Sequence, residues 1–125
     1  MSRSFTYVED VVDIIIKLIE KPAESDKSFD TNMPNPSSSW CPHRIFNVGN
    51  EISLELEDFI YLLEKELNTK AIKEYQPMQL GDVQNTKADN KLLKNWIGDY
   101  SRTPHEQGIR NLVSWFKEYY DFKVA

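Results

Sequence analysis

The sequence predicts an α/β fold, with α+β as the alternative layering, in which three short strands and four or more helices form one domain over residues 1–125. Two observations carry this expectation. Apolar residues recur at helical spacing in four stretches, each opened by a capping residue or closed by Gly or Pro, and short β-type runs stand between them. The chain has 125 residues, 40% of them hydrophobic, a size that supports one small core.

Taken in order, residues 3–7 read as a first strand. Thr6 and Glu9 then have capping-box spacing, and Val8, Val11, Val12, Ile15, Leu18 and Ile19 recur at helical intervals until Pro22 stops them. Residues 22–42 are rich in Ser, Pro, Asn and Asp without any period, which predicts a long flexible loop. Residues 44–48, with Ile45, Phe46 and Val48 before the Gly49-Asn50 turn, read as a buried strand. Ser53 is placed to cap the next helix, whose apolar stripe is Leu56, Phe59, Ile60, Leu63 and Leu67. Residues 71–78 give a third strand, contributing Ile72 and Tyr75, and a turn follows at Gln79-Leu80-Gly81-Asp82. Residues 89–96 make a short helix ended by Gly98. Thr103-Pro104-His105-Glu106 is the clearest helix start in the chain, leading into Ile109, Leu112, Val113, Phe116 and Tyr120 on one face. So little sheet under several amphipathic helices predicts an apolar face in need of a partner.

Composition removes whole classes of function. A formal charge of -5 gives no basic face for nucleic acid or anionic lipid, so any anionic ligand must be held locally. The longest apolar run is broken by Asp13 and Lys17 and is far shorter than the roughly 20 residues that span a bilayer. No signal peptide is legible, so the expected location is cytoplasmic, and a single cysteine makes no internal disulfide. Cys41 and His43 together fall short of the three or four ligands of a metal site, and no metal is expected.

Motifs that carry chemistry are mostly missing. The four glycines, at 49, 81, 98 and 108, are too dispersed to build the Gly-rich turn that brings backbone amides to a pyrophosphate. No phosphate loop, nucleophile elbow or zinc helix is present. Tyr61 and Lys65 have Tyr-x-x-x-Lys spacing, but beside Leu62 and Leu63 they read as an exposed aromatic and a surface lysine. His43 and His105 have no Ser or Cys paired to them by a motif. Trp115, Phe116, Tyr119 and Tyr120 resemble a base-stacking platform, yet their helical spacing with Lys117 as the nearby cation reads as core packing.

Three segments in order are more specific than any of these: Arg3-Ser4-Phe5-Thr6-Tyr7-Val8-Glu9-Asp10, then Arg44-Ile45-Phe46-Asn47-Val48-Gly49-Asn50, then Pro77-Met78-Gln79-Leu80-Gly81-Asp82-Val83. Thr86-Lys87-Ala88-Asp89 and the closing Gly108 to Trp115 pattern extend the match. Together they resemble the carboxy-terminal part of the extended short-chain dehydrogenase/reductase family (the NAD-dependent epimerase/dehydratase family), most nearly the UDP-glucuronate 4-epimerases. The resemblance covers essentially the whole chain and only about the last third of a typical member.

The resemblance implies a UDP-sugar-binding portion without the NAD site and without catalytic residues, which the family carries upstream. It places the family's pyrophosphate-contacting arginine on Arg3 and the acid that holds the ribose diol on Asp82. Gln79 stands where some relatives carry a phosphate-binding arginine, and Phe5 where others have a tyrosine. The plainer readings are a flexible terminal cation for Arg3 and a turn aspartate for Asp82, and Ser4 departs from the family's usual aspartate. The implied cofactor of the complete protein is NAD, none of it held by this chain alone. The implied partners are a UDP-sugar, a companion amino-terminal half, or a second copy docked through an exposed apolar face.

Overall fold

A computed structural model describes residues 1–122; the last three residues of the expected domain lie outside them. The described residues hold two strands, β1 (Ser2–Arg3) and β2 (Leu54–Glu55), and four helices, α1 (Val8–Glu20), α2 (Leu56–Leu67), α3 (Lys91–Ile97) and α4 (His105–Tyr119). The helices are therefore where the apolar periodicity and the Pro22 and Gly98 stops put them. The strands are not.

β1 pairs antiparallel with β2 in the register Ser2 to Glu55 and Arg3 to Leu54. Along its other edge the Ser2 amide donates to the Gln84 carbonyl at 2.9 Å and the Ser2 carbonyl accepts from the Thr86 amide at 3.3 Å, a parallel bridge to Asn85. Residues 44–48 form only one bridge, Arg44 to Ser38, and Ile45 is exposed. Residues 71–78 lie wholly on the surface, tied by the Ala71 amide to Glu64 and by the Tyr75 hydroxyl to Glu57. The physical reason is common to both. β propensity and alternation describe a residue that fits a ladder, and among the described residues no strand runs beside either segment.

Two expected caps also have other employment. The Thr6 hydroxyl donates to the Ser4 carbonyl and accepts the Asn50 amide, so α1 starts after Tyr7 without a side-chain cap. Ser53 donates to the Thr86 carbonyl at 2.9 Å, and α2 starts at Leu56. Each hydroxyl crosslinks distant chain instead of satisfying a helix end, a trade of one local bond for one tertiary bond.

The buried apolar side chains are Ile14, Leu93, Ile109 and Val113, one or two from each of three helices. α1 buries polar groups beside apolar ones. Its inward face is the row Asp10, Ile14, Lys17 and Lys21: Asp10 accepts from Thr103, Lys17 donates to the Asp99 carbonyl and Lys21 to the Trp96 carbonyl. Of the stripe read from the spacing, Val11 and Leu18 are half-buried, while Val8, Val12, Ile15 and Ile19 face outward with Ile16. Trp115, Tyr119 and Tyr120 likewise form an exposed stacked cluster on α4 in place of the expected core packing.

Residues 22–42 are irregular, as their composition predicts, but they are stitched. Asp26 accepts from the Ser28 hydroxyl and amide and pairs with Arg44 at 3.3 Å, and these bonds hold its carboxyl well below the usual carboxylate range. Trp96 closes the same region, its ring facing the Lys21 ammonium at 5.3 Å and the Arg44 guanidinium at 5.4 Å while its indole donates to the Lys21 carbonyl.

Candidate functional site

Arg3 and Asp82, 79 positions apart, meet at 2.7 Å between Nη2 and Oδ1. The small sheet brings them together: β1 presents Arg3, and the bridge from Ser2 to Asn85 lays the segment carrying Asp82 alongside. Arg3 is fixed at its other end, because Nη1 donates to the Ser2 carbonyl at 3.0 Å and to the Gln84 carbonyl at 3.2 Å. Asp82 is fixed by its own turn, in which its amide donates to the Gln79 carbonyl at 3.2 Å and its Oδ1 accepts the Val83 amide at 2.9 Å. Gly81 closes that turn at φ +91°, a conformation L side chains rarely adopt. Both partners keep access to water, with 24% of the Arg3 side chain and 38% of that of Asp82 exposed.

The other two expected residues are placed differently. Gln79 joins the site through its backbone in the turn, and its side chain is exposed. Phe5 stacks on Phe59 with ring centroids 4.0 Å apart and 17° between planes. It lines an apolar groove of about 540 Å³ between α1, α2 and α4, shared with Tyr7, His105 and Trp115, which neither Arg3 nor Asp82 lines. Tyr7 lies flat on α4 because Gly108 has no Cβ; a Cβ there would stand 3.3 Å from the ring.

Behind the ion pair, the first two motifs are locked together through Asn50, and Asn90 ties the second to the start of α3. Asn50 accepts on its carbonyl from the Ser4 hydroxyl, gives its amide to Thr6 and contacts His105 Nε2 through its side chain at 3.2 Å. Asn90, almost fully buried, donates to the Gly49 carbonyl. A Cβ at Gly49 would stand 2.6 Å from that of Ala88, so glycine is required there for close approach. Asn50 closes the second motif and Asn90 follows the Thr86 to Asp89 segment, and those positions were the available signal.

Glu51 follows the same turn and holds Lys94 at 2.8 Å and Arg102 at 2.5 Å, and the hydrogen bond from Lys94, then that from Arg102, lowers its pKa. Glu64, buried on α2, has its pKa lowered by Lys70 and by the Ala71 amide. A carboxylate with a depressed folded-state pKa contributes stability that is fully present above its unfolded value, about 4.5, and is lost as pH falls through the folded value. Urea midpoints should therefore fall as pH drops below about 4.5, and a Glu51→Gln, Glu64→Gln double variant should show a flatter profile. An unchanged slope in the double variant would assign the acid sensitivity elsewhere.

No family model matches the chain. A probable UDP-glucuronate 4-epimerase of Rhizobium meliloti is 33% identical over 121 residues, covering 96% of this chain and 36% of that protein. The structure of MoeE5 in complex with UDP-glucuronic acid and NAD superposes with a TM-score of 0.69 at 19% identity, over 94% of this chain and 34% of that one. UDP-glucuronic acid 4-epimerase from Bacillus cereus, in complex with NAD, gives a TM-score of 0.66 at 20% identity, over 99% and 32%. Over nearly its whole length the chain is similar in sequence to one part of the Rhizobium meliloti protein, and in fold to one part of both structures. It spans about a third of the length of the curated relatives it matches.

In this chain Tyr61 points to solvent on α2 and the ammonium over its ring, at 6.0 Å, is that of Lys70, so the Tyr-x-x-x-Lys spacing builds no proton-transfer pair. Among the described residues no three His, Cys, Asp or Glu side chains come close enough to hold a metal ion, and no helix is long and apolar enough to cross a membrane. Among the described residues, the expected site residues that come together are Arg3 and Asp82, with the turn that carries Gln79.

Proposed function

We propose that this chain is the UDP-gripping portion of a nucleotide-sugar 4-epimerase, with Arg3 directed to the pyrophosphate and Asp82 to the ribose diol. The observation that carries the proposal is the convergence of these two residues, from segments 79 positions apart, on one partly exposed spot backed by backbone bonds. A guanidinium matches phosphate oxygens through charge-assisted bonds worth about 1.5 to 3 kcal/mol, and an acceptor-only carboxylate suits two hydroxyl donors. Gln79 and Phe5 are assigned supporting contacts at the edges. NAD, which in this reading takes and returns a hydride at the sugar, is assigned to another part of the protein or to a companion chain, because the dispersed glycines of this one make no pyrophosphate cradle. A cytoplasmic setting, where Cys41 stays reduced, fits this role.

Calorimetric titration with UDP tests the assignment. Heat of binding to the wild-type chain that is lost in Asp82→Ala supports it; equal binding by both rejects it. Interconversion of UDP-glucuronate and UDP-galacturonate by the purified chain with NAD would overturn the assignment of catalysis elsewhere.

A second reading, favoured by the outward apolar stripe of α1, is that this face docks a partner, either an NAD-binding part or a second copy. The accessible surface is 9695 Å², against roughly 6,900 Å² for a compact monomer of this mass. The excess is on the scale of an obligate interface. A strictly monomeric species by light scattering at high concentration counts against self-association.

A further inference from the structure

We propose that Asp82 gates Arg3, admitting a diphosphate that also carries a diol and rejecting bare anions. The inference rests on the UDP-gripping reading and concerns its selectivity. Arg3 is the cation of the site, yet its Nη2 is already given to Asp82 Oδ1 and its Nη1 to two backbone carbonyls. An anion approaching the remaining N–H groups meets a carboxylate beside the guanidinium, so the pair presents little net positive charge. Inorganic pyrophosphate or sulfate has nothing to offer that carboxylate. A nucleoside diphosphate brings two ribose hydroxyls, which donate to Asp82 while its phosphates accept from Arg3, and both members of the pair are satisfied together. The carboxylate thus works twice, as a diol acceptor and as a charge filter, and the turn at Gly81 holds it in position for both.

The position of the pair supports this over a purely structural bridge. Neither side chain is buried, and the sheet beside them is held by backbone bonds that do not involve the carboxylate. Exposed ion pairs of this kind contribute little to stability, so Asp82 is free to be replaced without loss of the fold.

The test is titration of inorganic pyrophosphate and of UDP into the wild-type chain, Asp82→Asn and the Asp82→Asn, Arg3→Gln double variant, with thermal unfolding as the check on folding and Asp82→Ser as the alternative variant. The expected result is pyrophosphate affinity higher in Asp82→Asn by about tenfold or more, abolished in the double variant, with the preference for UDP over pyrophosphate shrinking by a similar factor. Pyrophosphate affinities equal within about twofold, binding of pyrophosphate to neither protein, or a gain that survives Arg3→Gln each overturn the gate. The two readings separate cleanly. If UDP fails to bind the wild type while pyrophosphate gains in Asp82→Asn, the UDP assignment falls and the charge filter stands; if UDP binds and pyrophosphate is indifferent, the reverse holds.

Discussion

Leu93→Ala is expected to cost about 2 to 5 kcal/mol, enough to remove a cooperative urea transition. Leu93 on α3 is fully enclosed, with 0% of its surface accessible, and it is one of four buried apolar side chains among the described residues. Removing three carbons there loses their transfer free energy and leaves a cavity that the surroundings fill only in part. With so few buried residues no neighbouring layer shares the loss. Leu92→Ala, next in sequence and half exposed, should change stability by less than about 0.5 kcal/mol. Circular dichroism across a urea series compares the two; equal midpoints would show that Leu93 is not a keystone.

Asp10→Ala should cost about 2 to 3 kcal/mol through a different mechanism. Its two oxygens accept the Thr103 amide at 2.9 Å and the Thr103 hydroxyl at 2.7 Å, tying the first turn of α1 to the entry of α4. Alanine leaves both donors in a partly buried place without an acceptor and also removes a negative charge from a helix N-terminus. Thr103→Val deletes one of the two bonds, so it should cost less and the double variant should fall short of the sum. Hydrogen exchange at the Thr103 amide gives a local readout. Protection in Asp10→Ala that matches the wild type would rule out the clamp.

The helices were legible in the sequence because their signals are local: apolar spacing, the Pro22 stop, Gly98 at the end of α3 and Pro104-His105 at the start of α4. Thr6, Ser53 and Thr103 carried the right chemistry for caps, yet their hydroxyls serve Asn50, Thr86 and Asp10, partners between 33 and 93 positions away. A sequence window holds the donor and not the competing acceptor. The strands at 44–48 and 71–78 failed for a related reason, since a ladder belongs to two segments and the pattern of one says nothing of the other. Orientation was the least legible property. α1 has an apolar face by spacing, but Asp10, Lys17 and Lys21 find donors and acceptors on the 96–103 segment, and only Val11 and Leu18 of that face are half-buried while Val8, Val12, Ile15 and Ile19 stay outward.

Of the candidate site, the resemblance supplied Arg3 and Asp82 and the structure supplies their contact. Nothing in spacing alone connects a residue at position 3 to one at 82. The bonding roles of Asn50 and Asn90 were not legible because a buried asparagine that serves backbone groups looks, in sequence, like any turn or loop asparagine.

The strand at Ser2–Arg3 has one more implication, which concerns time. Ser2 is bonded to residues 84–86 and 54–55, Asp10 to Thr103, Tyr7 to Asn111 and Lys21 to Trp96. Every fastening of the first segment awaits chain made far later, and pairings of such sequence separation close slowly because the intervening loops must first be ordered. On a ribosome, these residues must wait for chain made after them, and the Arg3 site comes into being only once the sequence around Asp82 has emerged.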